Sequence, residues 1–138
     1  MRRVLIDTNA YVAFKRGQPE ALRILQNTPG IAVNSVVLGE LLSGFAVGTR
    51  AEANRRELEE FLNSPRVEVF AVTHRTAEHY AAIFLALKGA GTPIPTNDMW
   101  IAASAMEHDL GLFTYDAHFR SIHGLRIGMS HSELEVEG

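Results

Sequence analysis

Two short apolar segments of the chain each lead directly to an aspartate, and this arrangement limits the fold more than any other feature of the sequence. Val4–Ile6 precedes Asp7, and Leu112–Thr114 precedes Asp116 with one tyrosine between them. An aspartate that follows an apolar β-strand lies at the carboxyl edge of the sheet, where open α/β folds place their ligand crevice. We therefore expect Asp7 and Asp116 to face one crevice.

Short apolar segments alternate with helical patterns along the chain, up to an acidic and unpatterned tail that starts at Ser130. Helices are predicted from residue 10 onward and at 20–26, 35–46, 51–62, 76–88 and 99–108. Strands are predicted at 4–6, 31–33, 67–72, 112–114 and 125–127. This alternation predicts a three-layer α/β/α fold with a short, mainly parallel central sheet. With 138 residues, the chain has the length of one globular domain.

Composition excludes several classes of site. The chain has no cysteine, so disulfides, thiolate metal sites and cysteine nucleophiles are excluded, and any metal must be held by oxygen or imidazole. No segment approaches the ~20 consecutive apolar residues of a membrane span. The formal net charge of −3 gives the whole molecule no general attraction to nucleic acid or to an anionic membrane.

Two further acids occupy unusual positions. Glu40 lies inside the apolar helical run 36–42, where an unpartnered charge is costly, although a glutamate on a helix is ordinarily solvated. Asp98 opens the helix 99–108, and either Asp98 or Asn97 could cap that helix. Ser35 is predicted to cap the helix that carries Glu40. Each acid therefore has an ordinary structural interpretation, but the four together favour a shared metal site.

Three other metal or phosphate enzymes fit the sequence poorly. The histidines show no i,i+4 pairing around an acid, which excludes a helical zinc protease motif. A phosphoacceptor receiver domain needs an acidic pair after the first strand and a late lysine, but the last lysine is Lys88. An aspartyl-phosphate hydrolase needs a second aspartate where this chain has Asn9.

The chain closely resembles PIN domains, and specifically VapC-type toxin ribonucleases of type II toxin–antitoxin systems. The resemblance spans nearly the whole chain and rests on Asp7-Thr8-Asn9, the helix with Glu40, Asn97-Asp98 followed by Ile101-Ala102-Ala103, and Thr114-Tyr115-Asp116 with Phe119. Each motif alone is weakly specific, whereas four in this order are strongly specific. The resemblance implies that residues 1–138 form a single PIN domain.

The same resemblance implies the roles of individual residues. Asp7, Glu40, Asp98 and Asp116 would be the acidic quartet that holds Mg²⁺ or Mn²⁺, and hard oxygen ligands suit these cations. Some related chains carry a further acid where this chain has His118, which could contact a substrate phosphate. The polar residues that would orient the carboxylates are Thr8, Asn9, Asn97 and Thr114.

The resemblance also implies partners and a location. The substrate would be RNA, the protein partner would be a VapB-type antitoxin, and the toxin would form a homodimer in the cytoplasm without membrane contact. Two alternatives stay open at this point, because a housekeeping RNA-processing PIN nuclease and a binding-only PIN scaffold carry the same motifs. By analogy, small size and the lack of an appended domain favour the toxin.

Overall fold

The computed structural model describes residues 2–130 and 133–134. Its strands are β1 Val4–Ile6, β2 Ile31–Asn34, β3 Val67–Phe70, β4 Gly111–Phe113 and β5 Ile127–Gly128. Its helices are α1 Thr8–Lys15, α2 Pro19–Asn27, α3 Ser35–Val47, α4 Ala51–Leu62, α5 His74–Ala90 and α6 Thr96–Glu107, with a 3₁₀ turn at Ala117–Ser121. Among the residues described, no helix is both long enough and apolar enough to span a membrane.

The five strands form one sheet in the order β3-β2-β1-β4-β5, and every neighbouring pair is parallel. The prediction of a parallel α/β sheet flanked by helices is therefore confirmed. From β1 the chain adds β2 and β3 on one side and then returns to add β4 and β5 on the other side. The boundary between β1 and β4 is the topological switch point, where ligands bind beyond the carboxyl ends of the strands.

The central strands form the core of the domain. All residues of β1 and β4 are buried, and Phe113, Leu5 and Ile6 are among the largest fully buried side chains. A strand that is buried on both faces has a continuous apolar sequence, which explains why these two strands could be predicted. The core therefore fixes the ends of β1 and β4, and with them the acids that follow.

Some predicted boundaries were wrong. Asn34, and not Ser35, caps α3, because its side-chain oxygen accepts the Val37 N–H at 3.0 Å. The strand predicted at 67–72 ends at Phe70, opposite the last residue of β2. Of the predicted tail, residues 131–132 and 135–138 lie outside the described residues, while Leu134 is buried.

Replacing Asn34 with alanine should lower the free energy of unfolding by about 2 kcal/mol. Asn34 is fully buried, and its amide also donates to the Ser104 hydroxyl at 2.9 Å, which joins α3 to α6. The loss of the cap contributes about 1 kcal/mol, and the buried partner left without a hydrogen bond contributes about 1 kcal/mol more. Urea denaturation measures the change. Ser35→Ala is the matched control and should cost less than about 0.5 kcal/mol; equal effects would contradict the assignment of the cap.

Candidate functional site

Asp7 is fixed at the end of β1 by both of its carboxylate oxygens. Ile6 pairs with Phe113 across the sheet, and the Asp7 N–H donates to the Phe113 carbonyl at 3.3 Å. Oδ1 accepts the Ala10 N–H at 2.8 Å and so caps α1, while Oδ2 accepts the hydroxyl of Thr114. Only 5% of Asp7 is exposed. The carboxylate is therefore held in one orientation at the switch point.

Thr114 also positions the second strand-end acid. Its hydroxyl oxygen accepts the Asp116 N–H at 2.9 Å, so one buried side chain binds Asp7 through its proton and Asp116 through its oxygen. Asp116 Oδ1 accepts the His118 N–H at 2.9 Å and begins the 3₁₀ turn. The His118 ring nitrogen Nδ1 lies 3.1 Å from the same oxygen. These contacts bring Asp7, Asp116 and His118 to one end of the sheet.

Glu40 connects three helices through its carboxylate. The Thr8 hydroxyl of α1 donates to Oε1 at 2.5 Å, and the Asn97 amide of α6 donates to Oε2 at 3.3 Å. The side chain is half-buried on α3. Glu40 is thus directed toward the start of α1 and the start of α6, which are the same helix ends that carry Asp7 and Asp98.

Asp98 does not cap its helix, so the structural alternative for this residue was wrong. Pro95 occupies the N-cap of α6 without a side-chain hydrogen bond, and Asp98 lies in the first helical turn. Asn97 does not cap the helix either, because its amide binds Glu40. No residue in the described ranges donates a hydrogen bond to the half-buried Asp98 carboxylate. Its oxygens are therefore available for another ligand.

The four carboxylates repel one another. Burial, which is the largest cause, and the charges of Asp116, Glu40 and Asp7 together raise the pKa of Asp98 to about 6, while His118 opposes the shift. Burial also raises the pKa of Asp7 above its ordinary value. Hydrogen bonds to Asp7 oppose that shift, whereas Asp116 and Glu40 add to it. The acids therefore form one electrostatic cluster, which we call the acidic cluster (Asp7, Glu40, Asp98 and Asp116).

The donor set of the acidic cluster fits a hard divalent cation. Ligand atoms of Asp98, Asp116 and His118 all lie within 4.8 Å of one another, while Asp7 and Glu40 stand outside this closest group. Carboxylate oxygens are the ligands that Mg²⁺ and Mn²⁺ prefer. A cation would also offset the repulsion that raises the Asp98 pKa. The chemistry of the site is thus compatible with a bound divalent metal.

The structure places three of the four predicted polar neighbours against the cluster. Thr8 and Asn97 bind Glu40, and Thr114 binds Asp7. Asn9 is exposed, and none of the described acids receives a hydrogen bond from it. Sequence reasoning missed Asn34, which sets the start of the helix carrying Glu40. The signal was present, because Asn34 ends a strand and begins a helix just as Asp7 does.

Comparison with known proteins identifies the family. The model of the PIN domain family matches residues 4–125, and the chain belongs to this family. Ribonuclease VapC4 of Mycobacterium tuberculosis is 29% identical over 122 residues, which cover 88% of this chain and 92% of that protein. The curated relative therefore aligns along nearly its whole length.

Solved structures agree with this assignment. DNA-bound VapBC from Salmonella typhimurium contains a chain with a TM-score of 0.81 and 30% identity, covering 93% of this chain and 98% of that one. VapBC2 from Rickettsia felis, bound to a DNA fragment from its promoter, gives a TM-score of 0.80 and 26% identity, with 91% and 97% covered. The recognition of a VapC-like PIN domain from the sequence motifs is therefore confirmed.

Proposed function

We propose that this chain is a Mg²⁺- or Mn²⁺-dependent endoribonuclease that hydrolyses RNA phosphodiester bonds. One observation carries the proposal: strands β1 and β4 and helices α3 and α6 direct four carboxylates to one sheet edge, where burial and the charges of the other three acids raise the pKa of Asp98 to about 6. Such repulsion is costly unless a cation occupies the cluster. The ribonuclease relatives supply the substrate class.

The residues divide into three roles in this proposal. Asp7, Glu40, Asp98 and Asp116 would hold the cation, and His118 would contact a substrate phosphate next to Asp116. When bound there, a divalent cation would lower the pKa of a water nucleophile and would stabilise the leaving oxygen of a phosphodiester. The surrounding polar residues that orient the carboxylates would be Thr8, Asn97 and Thr114.

The hydrogen-bond pattern explains why the carboxylates stay in place. Thr114 holds one oxygen of Asp7 and the backbone of Asp116, and Glu40 has a donor on each oxygen. Asp98 alone among the four accepts no hydrogen bond from the residues described. Hydrogen bonds thus hold three of the acids in place, while both oxygens of Asp98 remain for the cation.

We further propose that the protein is the toxin of a VapBC-type pair, with a VapB-type antitoxin as its partner. The support comes from the two VapBC structures whose chains match this one along nearly their full length. A homodimer in the cytoplasm completes the proposal. Phe84 and Leu85 on α5 are exposed apolar side chains that a second copy could cover.

RNA cleavage by the purified protein should require added Mg²⁺ or Mn²⁺ and should stop when a chelator removes the metal. The reason is that the acidic cluster provides no cationic group able to replace the metal charge on the scissile phosphate. Denaturing gel electrophoresis of total RNA, followed by mapping of the new ends, measures the activity. Cleavage that persists unchanged in the chelator would refute metal dependence.

The remaining alternatives give different outcomes in the same preparation. A binding-only scaffold would retain RNA without producing new ends under any metal condition. A processing enzyme would cleave RNA, but its induction would leave growth unaffected. A toxin should arrest growth on induction, and co-expression of the reading frame next to its gene should restore growth.

A further inference from the structure

A cavity outside the acidic cluster is lined mainly by polar and charged side chains. It has a volume of about 320 Å³ and lies between α1, α3 and α4, and we call it the α1–α4 cavity. Its lining residues are Tyr11, Val12, Lys15, Arg16, Phe45, Arg50, Asn54 and Glu57. Neither the sequence motifs nor the proposed metal site uses any of these side chains.

The hydroxyl of Tyr11 is the most unusual group in this cavity. Only 2% of Tyr11 is exposed, and its hydroxyl is buried without a hydrogen-bond partner among the described residues. Phe61 packs edge-on against the ring at a centroid distance of 5.2 Å and so holds it in place. A buried hydroxyl without a partner is costly, and phenylalanine would fill the same space without that cost. The hydroxyl is therefore a hydrogen-bond donor without a described partner on a residue that lines the cavity.

The charged side chains that line the cavity favour an anion. The ammonium nitrogen of Lys15 lies 3.5 Å from Glu57 Oε2, and a guanidinium nitrogen of Arg50 lies 4.0 Å from Glu57 Oε1. Arg16 has no acidic partner among the residues described. Three cations and one acid leave an excess of two positive charges. Burial, with a smaller contribution from Glu57, raises the pKa of Tyr11 to about 12, so its hydroxyl remains a hydrogen-bond donor at neutral pH.

The same two helices connect the cavity to the acidic cluster. Tyr11 follows Asp7 by four residues at the start of α1, and Phe45 follows Glu40 by five residues on α3. At 1.5 Å per residue, these separations correspond to about 6 Å and about 7.5 Å along the helix axes. An RNA strand bound at the acidic cluster can therefore reach the cavity with a neighbouring phosphate group.

We propose that the α1–α4 cavity binds a backbone phosphate of the RNA close to the phosphate that is cleaved. This inference rests on the proposed ribonuclease function and names a contact that the acidic cluster cannot supply, because its four carboxylates repel the backbone. An arginine fork, an ammonium and a neutral hydroxyl donor together match the non-bridging oxygens of a phosphodiester. The cationic side chains of the cavity thus hold the RNA strand.

The test compares Tyr11→Phe and Arg16→Gln with wild type. Both variants should weaken binding of a short fluorescent single-stranded RNA about tenfold, since each removes one hydrogen bond to a charged group. In cleavage assays KM should rise by a similar factor with little change in kcat.

For Arg16→Gln, the slope of log affinity against log salt should fall in magnitude by about 0.7, as expected for one lost contact to single-stranded RNA. Arg55→Gln, on the exposed side of α4, is the matched control and should behave like wild type.

A second probe separates this inference from the nuclease proposal. Inorganic phosphate should raise the unfolding temperature of wild type more than that of Tyr11→Phe, whose own unfolding temperature should equal or exceed that of wild type. If wild type cleaves RNA and both variants match Arg55→Gln in KM and salt slope, the phosphate site is wrong while the nuclease stands. If wild type neither binds nor cleaves RNA, both proposals fail. If Tyr11→Phe and Arg16→Gln lose binding to an acidic protein partner while their RNA affinity is unchanged, the cavity belongs to that partner. Its assignment to RNA is then wrong.

Discussion

Asp98→Asn should lower RNA cleavage by at least about 10³-fold while the protein stays folded. The amide has the size of the carboxylate but carries no charge, so it binds a hard divalent cation poorly. Asp98 is the one member of the acidic cluster that accepts no hydrogen bond from the described residues, so the substitution breaks no hydrogen bond among them. The rate of cleavage of a defined RNA at saturating Mg²⁺ measures the loss.

The pH dependence of stability provides a second readout for the same variant. In the metal-free native state the pKa of Asp98 is about 6, above its ordinary value of 3.8, so the native protein binds this proton more tightly than the unfolded chain. The stabilisation is therefore complete below about pH 4 and is lost as the pH rises through about 6. The uncharged amide of the variant resembles the protonated acid at every pH. The variant should match wild type at pH 4 and unfold at a higher temperature at pH 7.

Asp109→Asn is the matched control for this experiment. Asp109 is exposed and pairs with Arg2 and Arg126 instead of with the acidic cluster. Its φ of 53° lies in the left-handed region, which asparagine also tolerates. Cleavage should therefore stay near the wild-type rate in Asp109→Asn. If Asp98→Asn cleaves as fast as this control, Asp98 does not bind the metal.

The central part of the fold could be predicted because its signals are local. β1 and β4 are continuous apolar runs that end before an acid, and burial on both faces requires that composition. The end of β3 could not be predicted in the same way. Ala71 and Val72 suit a strand, but β2 turns into α3 after Asn34, so no neighbouring backbone remains to pair with them.

Helix starts were less predictable because neighbouring residues compete for the cap. Thr96, Asn97 and Asp98 all favour the first turn or the cap of a helix, and the sequence alone does not rank them. In the structure Pro95 takes the cap position, so Asn97 is released to bind Glu40 and Asp98 remains unbonded. Tertiary contacts, and not the local sequence, thus make Asp98 a candidate metal ligand instead of a helix cap.

The α1–α4 cavity had no signal in the sequence. A tyrosine at a buried helical position reads as an apolar core residue, which Tyr11 also is. Whether its hydroxyl has a partner depends on which side chains α4 brings to it, and the sequence predicted α4 only as a helix at 51–62. Lys15 and Glu57 meet only in the folded protein, because they are distant in sequence.

Glu40→Gln should abolish cleavage and yet leave the metal-free protein at least as stable as wild type. The glutamine can keep both present contacts, because its oxygen can accept from Asn97 while its amide donates to the hydroxyl oxygen of Thr8. The substitution removes one of the charges that raise the pKa values of Asp7 and Asp98. Folding should therefore be opposed by less repulsion. Thermal unfolding without metal and cleavage of total RNA measure the two effects.

Added Mg²⁺ should then stabilise wild type more than Glu40→Gln. A ligand that binds the native state stabilises it by RT ln(1 + [L]/Kd), about 2.7 kcal/mol at a hundredfold excess over Kd. Weaker binding in the variant reduces this gain at the same Mg²⁺ concentration. Glu60→Gln, on the exposed face of α4, controls for the loss of a surface charge and should keep the full gain. Equal stabilisation of Glu40→Gln and Glu60→Gln by Mg²⁺, with cleavage retained in both, would remove Glu40 from the site and weaken the ribonuclease proposal as a whole.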